Sequence, residues 1–226
     1  MLSGRSTAIA AVFCSALIVP EPATAQDGPV IALPGPSKVS SVSLEETLQA
    51  RRSVREFGAG GLSLPELAQL LWAAQGVTDP QGYRTAPSAG ALYPLELYVL
   101  VGDVEALSPG LYRYRAEDHQ LLLLRDEDLR ESLSAAALFQ RWIAEAPAVL
   151  VLSAVFERTA TKYGDRAPRY MHMEVGHAAQ NIYLQATARG LGTTFVGAFN
   201  DRGVSEALYL QADHTPLGLM PIGRLP

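Results

Sequence analysis

The chain has 226 residues, 48% of them apolar, and a formal net charge of −5, which supplies enough material for one good core and no basic surplus to neutralise a nucleic-acid backbone. No uncharged apolar stretch is as long as a membrane span, so a single globular domain without a membrane anchor in the mature chain is expected. The one cysteine, Cys14, falls in an N-terminal segment that reads as removable, which excludes disulfide, thiol and cysteine-metal chemistry afterwards.

Arg5, the apolar run Thr7–Val19, the breakers Pro20 and Pro22, and the small residues Ala23-Thr24-Ala25 have the layout of an export signal. Cleavage is expected near Ala25, with a periplasmic or secreted product; a lone arginine gives no twin-arginine pair, so the general secretory route is expected. Residues 26–43, rich in Pro, Gly, Ser and Val, read as an extended arm without its own core. Ser43 with Glu46 forms a capping box that opens a helix to about Arg52. Ser63 with Glu66 opens a second, carrying Leu67, Leu70, Leu71 and Trp72 until Gly76.

A Pro, Gly, Ser and Ala-rich loop follows over 78–94, then a strand over 95–101 and a hairpin of 111–115 with 120–124. A helix is expected from Asp126 to about Leu138, an amphipathic piece around Trp142, and the strongest strand over 148–156. The polar segment 157–168 leads into a long central helix, whose stop is Arg189 and Gly190. Beyond it a strand over 193–199, a helix from Asp201 to Leu210 and a last strand over 217–222 complete the order. Helices and strands without a βαβ repeat predict an α+β sandwich, a mainly antiparallel central sheet flanked by helices with a long helix at its centre. The expected units are 1–25, 26–43 and one domain over 44–226.

Three places carry candidate chemistry. Arg51, Arg52, Ser53 and Arg55 offer paired donors and a hydroxyl, which suit a phosphate; the plainer reading is a solvated basic face paired with Glu45, Glu46 and Glu56. The loop Pro87–Pro94, with Ser88, Ala89 and Gly90, is small enough to bring backbone N–H groups against a flat polar ring, or is an ordinary turn. Val196, Gly197 and Ala198 are similar. Glu174 and His177 lie three apart, as di-metal bundle ligands do, but a second pair is missing, so no metal is expected.

Taken together, Arg51–Arg55, Pro87–Pro94, Gly176-His177-Ala178-Ala179-Gln180-Asn181 with Gly190-Leu191-Gly192, and Pro221-Ile222-Gly223-Arg224 resemble the nitroreductase-like flavoproteins, nearest the SagB-type dehydrogenases related to thiazoline and oxazoline oxidases. The resemblance spans about 44–226. It implies FMN: Arg51, Arg52, Ser53 and Arg55 on its phosphate, ribityl chain and pyrimidine edge, Arg224 closing on the phosphate, Ser88, Ala89 and Gly90 lining the ring, and the backbone of Val196, Gly197 and Ala198 facing N5. It also implies a homodimer with flavins at the interface, and a catalytic Lys162-Tyr163 pair, against the plainer reading of a surface dipeptide. Many nitroreductases have asparagine where this chain has Ala91, which favours the SagB-like branch. The alternatives are an NAD(P)H-dependent nitro or quinone reductase, and a flavin-free accessory protein on the same scaffold. The substrate, small molecule or peptide, is left open.

Overall fold

A computed structural model describes residues 28–226; the export segment expected over 1–25 lies outside the described residues. Seven strands make one sheet: β1 (Val30–Ala32), β2 (Leu95–Val101), β3 (Gly110–Arg115), β4 (Gln120–Arg125), β5 (Ala148–Val155), β6 (Leu191–Thr193) and β7 (His214–Arg224). Their order is β1-β4-β3-β2-β5-β7-β6, and every ladder is antiparallel. Strands β2 and β5 are buried at every residue, which is why both read as unbroken apolar runs rather than alternating ones.

Both faces of the sheet are covered. On one lie α2 (Leu64–Gln75) and α6 (Ala167–Ala188), packing Leu67, Leu70, Leu71, Val175 and Ile182 against Leu97, Val99, Leu150 and Leu152. On the other, α3 (Arg130–Ala136), α4 (Arg141–Glu145) and α7 (Asp201–Ala207) bring Leu133, Ile143 and Val204 against Tyr98, Leu100, Val149 and Val151. Each such fully buried aliphatic contributes roughly 1.5–3 kcal/mol relative to exposure. The expected α+β architecture with an antiparallel sheet and a long helix is the one observed.

Both capping boxes form: Ser43 opens α1 (Leu44–Ala50) and Ser63 opens α2, each with its glutamate three residues on reaching back. Four boundaries differ from expectation. The arm adds β1 to the sheet edge by pairing with β4 and buries Leu33, so β4 is paired on both sides and β1 becomes the edge. The polar segment after β5 is helical: α5 (Phe156–Tyr163) and a 3₁₀ turn over Gly164–Arg166 run into α6. The strand expected over 193–199 stops at Thr193; the chain then leaves the ladder and pairs with β7 again by the isolated bridge of Val196 with Leu219. Helix α7 is capped by the Asn200 side chain, which accepts from Gly203 N–H, one residue before the expected Asp201.

Helix α6 buries Met171, Glu174, Val175, Ala178, Ala179, Ile182 and Ala186, while Met173, Gly176, His177 and Gln180 form an exposed stripe at helical spacing. The central helix is therefore buried on one side only.

Candidate functional site

Arg51 is the C-cap of α1, and the chain from there to Gly58 runs beside the closing strands of the sheet. Val54 N–H donates to Thr193 O at 2.9 Å and Gly58 N–H to Arg224 O at 3.1 Å, so the two ends of the domain meet here through their backbones. Gly192 and Gly223 permit it: a Cβ on either would press into the side chain of Val54 or Phe57. Arg52, Ser53 and Arg55 are exposed and Arg51 half-buried. Among the described residues none of the three arginines is within ion-pair distance of a carboxylate, so the pairing with Glu45, Glu46 and Glu56 in the plainer reading is not formed, although its solvent exposure is; Arg52 Nη1 donates instead to the Gln49 and Arg51 carbonyls, both at 2.8 Å. Glu46 instead closes its own capping box.

Tyr183 on α6 organises this edge. Its hydroxyl lies 3.1 Å from Ser53 Oγ and accepts from Phe195 N–H at 2.6 Å, while its ring sits under the Arg51 guanidinium at 5.1 Å. One side chain thus joins the basic run to the segment holding Val196, Gly197 and Ala198. In that segment Val196 is buried and tied to Leu219, and the Ala198 carbonyl accepts from Gln140 Nε2. Gly197 and Ala198 are exposed, and among the described residues their N–H groups donate to no protein acceptor.

Arg224 is held differently. Its guanidinium makes a two-point pair with Glu66, at 2.6 and 2.9 Å, and donates to Gly61 O. Burial alone would raise the Glu66 carboxyl, but the Arg224 and Ser63 hydrogen bonds outweigh it and hold the group below its ordinary range. The Arg224 side chain therefore stands next to the basic run by backbone and is committed to α2 by charge.

The second part of the site is a tight turn. Ser88 Oγ accepts from Tyr93 N–H, a 3₁₀ turn covers Ala89–Ala91, and Gly90, Ala91 and Tyr93 all have positive φ, of 63°, 53° and 45°. Such backbone is strained for the alanine and tyrosine and persists only where its surroundings hold it. The first-turn N–H groups of Ala89 and Gly90 have no helical acceptor. Lys162 and Tyr163, from the last turn of α5, converge on this turn: a Cβ on Gly90 would lie 3.0 Å from both Lys162 Nζ and Tyr163 Oη. Tyr163 is braced edge-on against Tyr170, with ring centroids 4.7 Å apart.

Beneath the turn lies Glu174, 2% exposed, with Oε1 making no hydrogen bond. Burial pushes its carboxyl up to about 7, and nearby Ser88, Arg84 and Gln75 only partly offset this. The Gln75 amide nitrogen is likewise unpaired. Glu174 faces inward and His177 outward, so the two do not converge on one point, and no group of three or more His, Cys, Asp or Glu placed to hold a metal ion forms among the described residues. The pairing of Glu66 with Arg224, the role of Tyr183 and the burial of Glu174 escaped the sequence analysis; Glu66 was visible there as the capping-box partner of Ser63.

The chain brings together two of the three sequence-predicted clusters, the basic run and Val196–Ala198, through Tyr183, and joins Lys162 and Tyr163 to Ser88–Gly90. Against known proteins, the family model described as "Nitroreductase family" matches residues 48–224. A Methanocaldococcus jannaschii protein named as a nitroreductase, MJ1384, is 51% identical over 186 residues, covering 82% of this chain and 93% of its own. A solved structure from Ralstonia eutropha, also named as a nitroreductase, superposes with a TM-score of 0.78 at 34% identity, over 92% of this chain and 95% of that one. A chain of the Escherichia coli microcin synthetase McbBCD complex, solved with truncated pro-MccB17 bound, gives 0.67 at 26% identity, over 85% and 76%.

Proposed function

This chain belongs to the nitroreductase family, a class of oxidoreductases, and from that premise we propose that it is an FMN-dependent oxidoreductase of the SagB-type dehydrogenase branch. The observation that carries the cofactor is the set of guanidiniums of Arg51, Arg52 and Arg55 beside the closing strands, which among the described residues have no carboxylate partner, a donor set that fits a phosphate monoester. FMN, when bound, supplies hydride uptake from one substrate and delivery to another. Arg51, Arg52, Ser53 and Arg55 would hold its phosphate and polar edge, with Arg224 joining them on release from Glu66. Ser88, Ala89 and Gly90 would line one side of the ring, and the open N–H groups of Gly197 and Ala198, next to Val196, would face the other.

Lys162 and Tyr163 meet at Gly90, against the proposed ring-lining turn, where an amine and a phenol are placed to take or return a substrate proton. That placement, with the likeness to the McbBCD chain, favours the SagB-type branch. Lys162→Ala and Tyr163→Phe should lower turnover while leaving flavin affinity unchanged.

The test is direct. Purified protein should be yellow, release FMN identifiable by mass spectrometry, and rebind it with saturable fluorescence quenching; protein that gains no FMN on reconstitution sinks the reading and leaves a flavin-free accessory role. A second reading, an NAD(P)H-dependent nitro or quinone reductase, is favoured by the names of the M. jannaschii and R. eutropha relatives. Anaerobic NAD(P)H should bleach the flavin in that case and leave it oxidised in the first.

Two further proposals accompany it. The exposed α6 stripe, with Leu44 and Leu48 exposed on α1, supports a homodimer, which light scattering on the eluted protein checks. Residues 1–25 are proposed to direct export, checked by the N-terminus and cell fraction of the mature protein.

A further inference from the structure

Strands β2 and β3 are paired only from Tyr98–Val101 against Gly110–Arg113. Strand β2 begins earlier, at Leu95, and β3 continues to Arg115, so the two part at one end. The fork encloses a cavity of about 520 Å³, roughly the space of a small organic ligand. None of its lining residues is among those assigned above to flavin or proton transfer.

Its charge runs against that of the chain. Arg84, Arg113, Arg115 and Arg158 line it, against Glu96 and Glu117. Arg113 and Arg158 both bond Glu96, from β3 and α5, and Arg158 also donates to Tyr93 O. Arg84 bonds Gln75 and Glu117 and stacks on the Tyr93 ring at 4.8 Å. Each guanidinium carries five N–H donors, and among the described residues Arg84, Arg113 and Arg158 each direct only two nitrogens to protein acceptors. Glu117, 68% exposed, is a weakly held counter-charge.

The cations are also spaced. Arg84 lies over the ring of Tyr93 and Arg158 on its carbonyl, so two anion positions are set about one tyrosine apart, with Leu95 and Leu122 contributing apolar wall. We propose that this fork is a binding site for a small organic acid carrying two or more carboxylates, one end taken by Arg84 and the other by Arg158 and Arg113. A single inorganic anion would satisfy one position and leave most of the volume to water.

The test is isothermal titration of the protein as purified with succinate, citrate, inorganic phosphate and sulfate at constant ionic strength. Saturable binding of succinate or citrate is expected, weakened roughly tenfold or more by Arg84→Gln and by Arg158→Gln, the loss of a charge-assisted contact. Glu117→Gln, which removes the charge of a side chain 68% exposed and keeps its shape, is expected to tighten it several-fold and stands as the decisive variant should the arginine variants fold poorly. Arg51→Ala should leave it unchanged. No saturable heat with either carboxylate, phosphate or sulfate binding as tightly, a neutral Glu117→Gln, or a loss in Arg51→Ala would each overturn the assignment.

Discussion

The two arginine groups of this protein are opposites in construction. Arg51, Arg52 and Arg55 fall within one five-residue run, exposed at Arg52 and Arg55 and half-buried at Arg51, and have no carboxylate partners among the described residues; Arg84, Arg113 and Arg158 come from a loop, a strand and a helix, are partly buried, and share Glu96 and Glu117. An exposed cation remains solvated and costs the fold little, so it can wait for a ligand. A partly buried one must be neutralised within the fold before anything else can bind, and its counter-charge then belongs to the stability of the protein. The difference therefore separates a group whose charge the fold leaves unneutralised from one that is structural first.

The largest expected effect tests that separation. Removing Glu96 by Glu96→Ala leaves Arg113 and Arg158 facing each other without compensation, a loss of about 3 kcal/mol in urea-unfolding free energy, the lower end for a broken buried pair because both arginines are partly exposed. Arg51→Ala should change the same quantity by less than about 0.5 kcal/mol. Equal small losses would erase the distinction. Next comes Glu174, whose neighbours include Arg84 from the fork. Its folded carboxyl sits at about 7 against an ordinary 4.5, so the fold binds its proton more tightly than the unfolded chain does. Stability is therefore reduced above pH 7 and recovers as pH falls from about 7 towards 4.5, by up to about 3 kcal/mol. The difference in unfolding free energy between wild type and Glu174→Gln should follow that window, and Arg84→Gln should move it to higher pH.

What could be read beforehand follows the same division. Local chemistry was legible: Ser43 with Glu46 and Ser63 with Glu66 set two helix starts, and the unbroken apolar run of β5 marked the strongest strand. The run Arg51–Arg55 was visible because its members are adjacent. Helix α5 was missed because, of its eight residues, only Thr159 is buried, leaving no apolar period to read. The chain beyond Thr193 looked like strand because it is β-branched and aromatic, yet Phe195 turns its ring over Gly218, a packing that no neighbour in sequence announces. The fork was invisible for the same reason: Glu96, Arg113 and Arg158 are brought together only by the sheet register and by α5, and Arg84 reaches them from the loop after α2.

For the exposed group the matching prediction concerns binding. Arg51→Ala removes one charge-assisted contact from the proposed phosphate site, about 1.5–3 kcal/mol, or on the order of 10- to 100-fold in FMN affinity measured by fluorescence titration, with the unfolding midpoint unmoved. A variant that binds FMN as well as wild type would take the basic run out of the cofactor site.

The smallest effect belongs to Arg224, which stands between the two groups: beside the exposed run by its backbone, and neutralised like the fork by its side chain. Its partner Glu66 has two duties, since the same carboxylate accepts from Ser63 N–H and Oγ at the start of α2. Glu66→Gln retains an acceptor for that capping box, because glutamine serves at this position too, and removes only the charge. The Arg224 side chain is 35% exposed, so the cost in unfolding free energy should stay below about 1 kcal/mol. The effect on FMN should have the opposite sign. A guanidinium no longer neutralised by Glu66 is free to turn to a phosphate, so the variant should bind FMN more tightly than wild type, and Arg224→Ala in the same background should abolish the gain. If affinity is unchanged or falls, Arg224 belongs with the fork arginines as a structural cation, and the phosphate site consists of the Arg51–Arg55 run alone.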